Sequence, residues 1–450
     1  MVIRPRLFIS GVAVLLSLTQ CTKDGIPSED NLDTELERLL TQAAPTGSLR
    51  YFELPASSDY QSIPQDPRNP LNDPKIQLGE FLFHETHLAE GAKFSSGFHT
   101  YSCSTCHHAT AGFQSGLRQA ISDGGQGFGF AGESRVPNPE YPEDSLDVQP
   151  IRTPTNMNGA YQEVTLWNGQ FGSLGMNAGT ESAWTPNTPK ETNLLGYEGL
   201  EIQAIAGLSV HRMVVNRNLI ESMPVYKQLF DQAFPDQPEN VRYHRITAGL
   251  AIAAYERSLL SNEAPFQKWL KGDVAALTSE AKEGAILFFG KANCVACHTG
   301  PALNSMAFYA LGMNDLDGHG VYGHFEEDKT NLGRGGFTGK EEDLYKFKVP
   351  QLYNLADVKF LGHGGTFQSL EEIIEYKNAA QPANPNVPAS QIAKDFQPLG
   401  LTPKEVQAIA IFIRDGLYDS NLNRYVPQTL PSGYCFPNND LKSKLDMGCN

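Results

Sequence analysis

Two pentapeptides constrain this 450-residue chain more than anything else in it: Cys103-Ser104-Thr105-Cys106-His107 and Cys294-Val295-Ala296-Cys297-His298. Each is a C-x-x-C-H string, the form that attaches c-type haem. The two thiols add across the vinyl groups of one porphyrin, and the adjacent histidine offers its imidazole to the iron. Both cysteines must therefore share one short turn, with the histidine directly behind. With seven cysteines in the chain, composition alone would produce even one such string in roughly three random sequences per thousand. Zinc ribbons also use C-x-x-C pairs, but zinc would need both pairs to meet in space and leaves each trailing histidine unexplained. The expectation is two covalently bound haem c groups, attached at Cys103, Cys106, Cys294 and Cys297, with His107 and His298 as iron ligands.

The formal charge of −16 argues against nucleic acid and against an acidic membrane surface as partners. The N-terminus reads as an export signal over residues 1–20: Arg4 and Arg6, then an uncharged, mostly apolar stretch from Leu7 to Thr19. That stretch is too short to span a bilayer. Leu18-Thr19-Gln20-Cys21 loosely resembles a bacterial lipobox, so a lipid anchor at Cys21 is expected, with an ordinary cleaved signal as the alternative. Cys435 and Cys449 remain, and a disulfide between them would close a tail, 421–450, with a loop of about 15 residues, worth ~3 kcal/mol in the chain-entropy model. It would also imply an oxidising compartment, periplasm or cell envelope.

Along the chain, residues 21–50 are polar and acidic and suit a tether, although Leu32, Leu36, Leu39 and Leu40 fall at helical spacing. Asp73 before Pro74 reads as an N-cap opening a helix towards the first haem motif. Gly124, Gly125, Gly127, Gly129 and Gly132 are too dense for a helix or central strand, and Gly116 to Pro150 is expected to wrap the haem edge. Helical patterns follow between Tyr226 and Ser258, from Thr278 towards Cys294, and after the capping box Thr402-Pro403-Lys404-Glu405 as far as Gly416. Ser261 to Pro265 reads as a crossover. The plan of helix, loop, C-x-x-C-H, long loop, helix occurs twice. It implies a mainly α fold of two cytochrome c-like haem domains with long irregular loops, at 51–260 and 261–420.

In these blocks the sequence resembles the bacterial di-haem cytochrome c peroxidase family, including its MauG-like di-haem enzymes. The resemblance runs from about Asn69 to Gly416. It rests on Asn69-Pro70-Leu71, Leu78-Gly79, Arg152-Thr153-Pro154-Thr155-Asn156, Leu166-Trp167-Asn168-Gly169, Ala254-Tyr255-Glu256-Arg257-Ser258-Leu259, Lys346 to Leu352 and His363-Gly364-Gly365. It implies a peroxidatic N-terminal haem, an electron-receiving C-terminal haem, and a tryptophan between them that carries the electron, here Trp167. The implied partners are hydrogen peroxide and a small electron-donor cytochrome or cupredoxin, and the implied assembly is a homodimer.

Three departures from the family pattern bear on mechanism. Bacterial peroxidases carry a removable histidine ligand sixteen residues after the first motif; here that position is Asp123, so the first haem is expected to be open at rest. The family's distal glutamine is matched by Gln203, but Ser209-Val210-His211-Arg212-Met213 puts Arg212 where a glutamate usually stands. Peroxide cleavage needs a group that moves a proton between the oxygens and a donor for the departing hydroxide. His211 is read as that acid–base, Arg212 as charge stabiliser and Gln203 as orienting group, with a surface pair or haem-propionate contact as the alternative for His211 and Arg212. The family's sixth ligand to the second iron, methionine or tyrosine, lies fourteen residues after the position of His363; here that is Lys377, with Tyr376 beside it, and both stay candidates alongside Met306 or Met313. The family's interdomain calcium uses an asparagine whose position Arg152 takes, which leaves calcium open. His84, His87, His99, His244, His319 and His324 have no motif context and read as solvent or core residues. The resulting expectation is a di-haem peroxidase, with a MauG-like oxidase of a protein or small molecule, or a plain electron carrier, as rivals.

Overall fold

The computed structural model describes residues 29–323 and 329–449. The stretch read as an export signal, Cys21 and His324 lie outside them. Eight helices of eight residues or more stand among the described residues: α1 (Glu29–Ala43), α2 (Asp73–His84), α3 (Gly199–Val210), α4 (Pro224–Ala233), α5 (Arg245–Ser258), α6 (Ser279–Phe289), α7 (Leu370–Ala379) and α8 (Pro403–Ile411). Sheet is confined to two-residue antiparallel pairs, Gly125–Gln126 with Val136–Pro137 and Phe308–Tyr309 with Phe347–Lys348. The chain is mainly α, with long irregular connections.

Each C-x-x-C-H turn is preceded by a helix that crosses a later helix at a glycine. On α2 that residue is Gly79, where a Cβ would lie 1.9 Å from the carbonyl oxygen of Ala251 on α5. On α6 it is Gly284, where a Cβ would lie 2.0 Å from the carbonyl oxygen of Ala408 on α8. Only the missing side chain lets the backbones approach so closely. Around the first crossing a core forms from Leu78, Leu82, Phe83, Leu250 and Tyr255; around the second, from Phe288, Phe289, Val406, Ile409 and Phe412. α8 runs on through a wide turn, Phe412–Gly416, and its capping box is present as expected, Thr402 accepting from the Glu405 N–H.

Two local expectations shift. The cap of α2 is Asn72, whose side chain accepts from the Lys75 N–H at 3.0 Å, so Asp73 is the first helical residue. The segment expected to be a tether is packed from α1 onward: Leu36 and Leu40 are fully buried against α6. Asp33 fixes that face, accepting from Lys282 Nζ at 2.9 Å and Trp269 Nε1 at 2.7 Å. An amphipathic stripe this apolar needs a surface to cover, and α6 supplies it.

The stretch read as a crossover ties together two turns remote in sequence. Asn158 and Asn354 both sit in the left-handed region, φ 55° and 56°, each four residues after a proline, Pro154 and Pro350. Ser261 holds both: its N–H donates to Asn158 Oδ1 at 3.0 Å and its hydroxyl to Asn354 Oδ1 at 3.1 Å. The tail is closed by a Cys435–Cys449 disulfide and lies on the first motif. Ser102 Oγ donates to Pro437 O and Thr105 Oγ1 to Asn438 Oδ1, at 3.0 and 2.6 Å.

Candidate functional site

Both motifs are built alike. Cys103–Thr105 and Cys294–Ala296 each form one tight 3-10 turn, with His107 and His298 next but one. Cys103, Cys106, Cys294 and Cys297 are unpaired, whereas Cys435 and Cys449 are bonded to each other. His107 Nδ1 donates to Phe113 O at 3.2 Å and also bonds the Pro154 carbonyl. His298 Nδ1 donates to Leu303 O and Pro350 O, each at 3.1 Å. A carbonyl can only accept, so Nδ1 carries the proton and Nε2 is left free for iron. Burial lowers both imidazoles to about 4, holding them in the neutral, ligating form. These features fit c-type haem at both motifs.

The loop 116–150 is held rather than loose. Buried Arg135 donates to Ile121 O and Ser122 O, and Asp440 and Asp446 of the tail accept from the N–H groups of Gly127, Phe128 and Gly129. Its function in the site is to deliver two carboxylates. Asp147 Oδ2 accepts from His211 Nδ1 at 2.8 Å, which fixes the tautomer and leaves Nε2 free. Burial opposes the imidazolium, but the charge and hydrogen bond of Asp147 outweigh it, and His211 titrates above its ordinary value. Asp123 binds the Arg212 guanidinium and accepts from Tyr141 Oη at 2.6 Å and the Lys93 N–H at 2.8 Å.

His211 lies within electrostatic reach of His107, and Met213 Sδ is 4.0 Å from Cys103 Sγ, so this segment faces the first motif. Gln203, on α3 eight residues before His211 at that helix's C-cap, lines a cavity of about 340 Å³ together with Trp167, Pro154, Cys297, His298 and Lys377. The structure thus brings His211 near the first motif, whereas the cavity that Gln203 lines is walled by Cys294, Cys297 and His298 of the second motif and by none of Cys103, Cys106 or His107. The charge of Arg212 is paired with that of Asp123. Sequence reasoning missed Asp147 as a partner and treated Asp123 only as a histidine that is not there.

Trp167 stands between the two motifs. Its Nε1 donates to Arg152 O at 2.8 Å, two residues before Pro154, and its carbonyl accepts from the Lys348 N–H at 2.8 Å, two residues before Pro350. His363 packs edge-on to the indole at 6.3 Å and stacks on Phe347.

Of the candidates for the second iron, Lys377 lines the cavity beside Cys294, Cys297 and His298, and burial brings its amine down to about 8. Tyr376 does not line that cavity, and its hydroxyl donates to Leu311 O at 2.6 Å. Met313 lines the same cavity. The calcium position does not fit that ion. The Arg152 side chain, 1 % exposed, donates to Ser115 O at 2.9 Å and Leu117 O at 2.6 Å, so a fixed guanidinium occupies carbonyls of the kind calcium would take.

The family model for di-haem cytochrome c peroxidase matches residues 73–275. The chain is 30 % identical over 359 residues to the methylamine utilization protein MauG of Methylophilus methylotrophus, covering 78 % of this chain and 85 % of that one. It is 28 % identical over 306 residues to the cytochrome c551 peroxidase of Nitrosomonas europaea, covering 68 % and 73 %. Among solved structures, a MauG-like protein associated with microbial copper homeostasis superposes with a TM-score of 0.54 at 22 % identity, over 82 % of this chain and 96 % of that one.

Proposed function

This chain belongs to the di-haem cytochrome c peroxidase family, and on that premise we propose that it reduces hydrogen peroxide to water at the Cys103–His107 site. The reducing equivalents enter singly at the Cys294–His298 site from a small cytochrome or cupredoxin. The two covalent haem c groups, one in each cytochrome c-like half, supply the redox chemistry when bound. The protein's own residues supply positioning and protons.

The observation that carries this reading is the Asp147–His211 pair beside the first motif. With Nδ1 tied to Asp147, Nε2 can take a proton from peroxide and return one to the departing hydroxide. Gln203 would offer an amide to orient peroxide. Arg212 acts by holding Asp123, and with it the loop that carries Asp147. Asp123 is committed to Arg212, Tyr141 and Lys93, so no side chain at the family's histidine position is available to the iron and the first site is open at rest. Trp167 conducts between sites, and Lys377 together with His298 would hold the iron of the second. The chain works in the periplasm, anchored through a lipid at Cys21, and can pair as a homodimer.

The test is rapid mixing of the fully haem-loaded protein with peroxide, with and without a reduced small cytochrome. Oxidation of a pair of donor equivalents per peroxide is the expected result. A second reading has a specific observation behind it: Asp123 in place of the histidine, shared in outcome with an always-open MauG-like site. There peroxide would be consumed without donor turnover and the oxidising power spent on a protein or small molecule. A carrier with no enzymatic role would fail to bind cyanide at either iron.

A further inference from the structure

Three side chains that the peroxide chemistry does not use converge on the surface beside the first motif. His87 follows α2, Glu90 lies three residues on, and His99 is folded back over both by its left-handed backbone, φ 60°, and by its N–H donating to Ala89 O at 3.1 Å. The two imidazole rings are 4.5 Å apart between centroids. Both aim Nε2 at one carboxylate oxygen, Glu90 Oε1, at 3.7 Å from His87 and 3.6 Å from His99. These separations are too long for hydrogen bonds. They approach instead the spacing of donors that share an ion: ligands about 2.1 Å from a tetrahedral metal stand about 3.4 Å apart. All three ligand atoms lie within 4.8 Å of one another.

A second observation is independent of that spacing. His99 Nε2 is buried and has no hydrogen-bond partner among the described residues. A buried polar nitrogen left unpaired is costly, and an ion at the centre of the cluster would satisfy it. Tyr434, next to the disulfide, stacks on His87 at 5.0 Å and 19° and closes one side. The cluster keeps some exposure, 22 % for His87, 29 % for His99 and 37 % for Glu90, so an ion can enter and keep water in a fourth position.

We propose that His87, Glu90 and His99 form a binding site for one divalent transition-metal ion of the zinc or copper(II) class. Two imidazoles and a carboxylate suit those ions and disfavour calcium and magnesium, which take oxygen ligands. The ion would brace the segment from which Gly91 N–H donates to Arg212 O and to which Val214 N–H returns through Leu88 O, at 3.1 and 2.7 Å. It is a structural site adjoining the first motif, and it stands whether or not the peroxidase reading does.

The test uses the haem-loaded protein without an affinity tag, stripped with EDTA and dialysed. Titration with zinc sulfate should show saturable binding of one equivalent and a raised Tm, with calcium and magnesium inert. Glu90→Gln and His99→Gln should each weaken zinc binding by more than about tenfold, with haem spectra unchanged. Copper(II) added to the wild-type protein should give an electron paramagnetic resonance signal with nitrogen splitting that changes when the histidines carry nitrogen-15. Absence of saturable zinc uptake, uptake undiminished in a His87→Ala, His99→Ala double variant, or a copper signal without imidazole nitrogen would each overturn the proposal. If the variants lose their haem spectra, the wild-type titration and copper signal decide alone.

Discussion

At the first site, what matters is which nitrogen of His211 is free. Asp147 accepts a hydrogen bond from the Nδ1–H, so in the proposed chemistry Nε2 takes the proton from peroxide, and that step requires the neutral ring. Turnover should therefore be low at acid pH and rise as pH climbs through a His211 pKa that stands above the ordinary value. Asp147→Asn removes the charge that raises that pKa and keeps the burial that lowers it, so the acid limb of the pH–rate profile should move to lower pH while kcat falls. His211→Ala should cost about 10²–10⁴-fold in peroxide turnover, measured as donor oxidation. At the second site, Lys377→Ala should convert one ferric haem from low-spin to high-spin, whereas Tyr376→Phe should leave the spectrum unchanged. His211 was legible because the neighbouring Gln203 and Met213 set its register against known blocks. Asp147 was not, because it lies 64 positions away in a glycine-rich loop with no periodicity. Two contacts between remote loop residues leave no pattern in a single chain.

Among the elements, the glycine crossings are where substitution should act most sharply. Gly284→Leu would drive a side chain into the Ala408 carbonyl, and a loss of about 1–3 kcal/mol is expected from overpacking. A lower urea midpoint with an unchanged m value checks it. The helices themselves were readable: the capping box at Thr402, the helix leading to Cys294, and the leucine spacing of α1 all reflect local chemistry. What α1 packs against was not readable, since an apolar stripe states that a partner exists without naming α6. The one-residue shift from Asp73 to Asn72 has a similar origin, because both are good caps and only backbone geometry at Asn72, φ −155°, selects between them.

For the whole molecule, the connection between sites can be followed bond by bond. His107 bonds the Pro154 carbonyl, Trp167 bonds Arg152, Lys348 bonds Trp167, and His298 bonds Pro350. Trp167→Phe keeps the packing and removes the Nε1 link. Steady-state donor oxidation should fall by about tenfold or more, equal to ~1.4 kcal/mol on the barrier, while the spectra of both haems and cyanide binding stay as they are. The Ser261 junction ties the Asn158 turn to the Asn354 turn, and the Arg152 N–H donates to His363 O at 2.9 Å. The duplicated helix plan announced two similar modules, but the inequality between them lies in loops and distal side chains. The wiring also has an evolutionary side. At Phe113, Arg152, Pro154, Leu303 and Pro350 the acceptors are backbone carbonyls, which most substitutions leave in place. Such a circuit tolerates drift in nearly every residue along it and concentrates its vulnerability in a single indole.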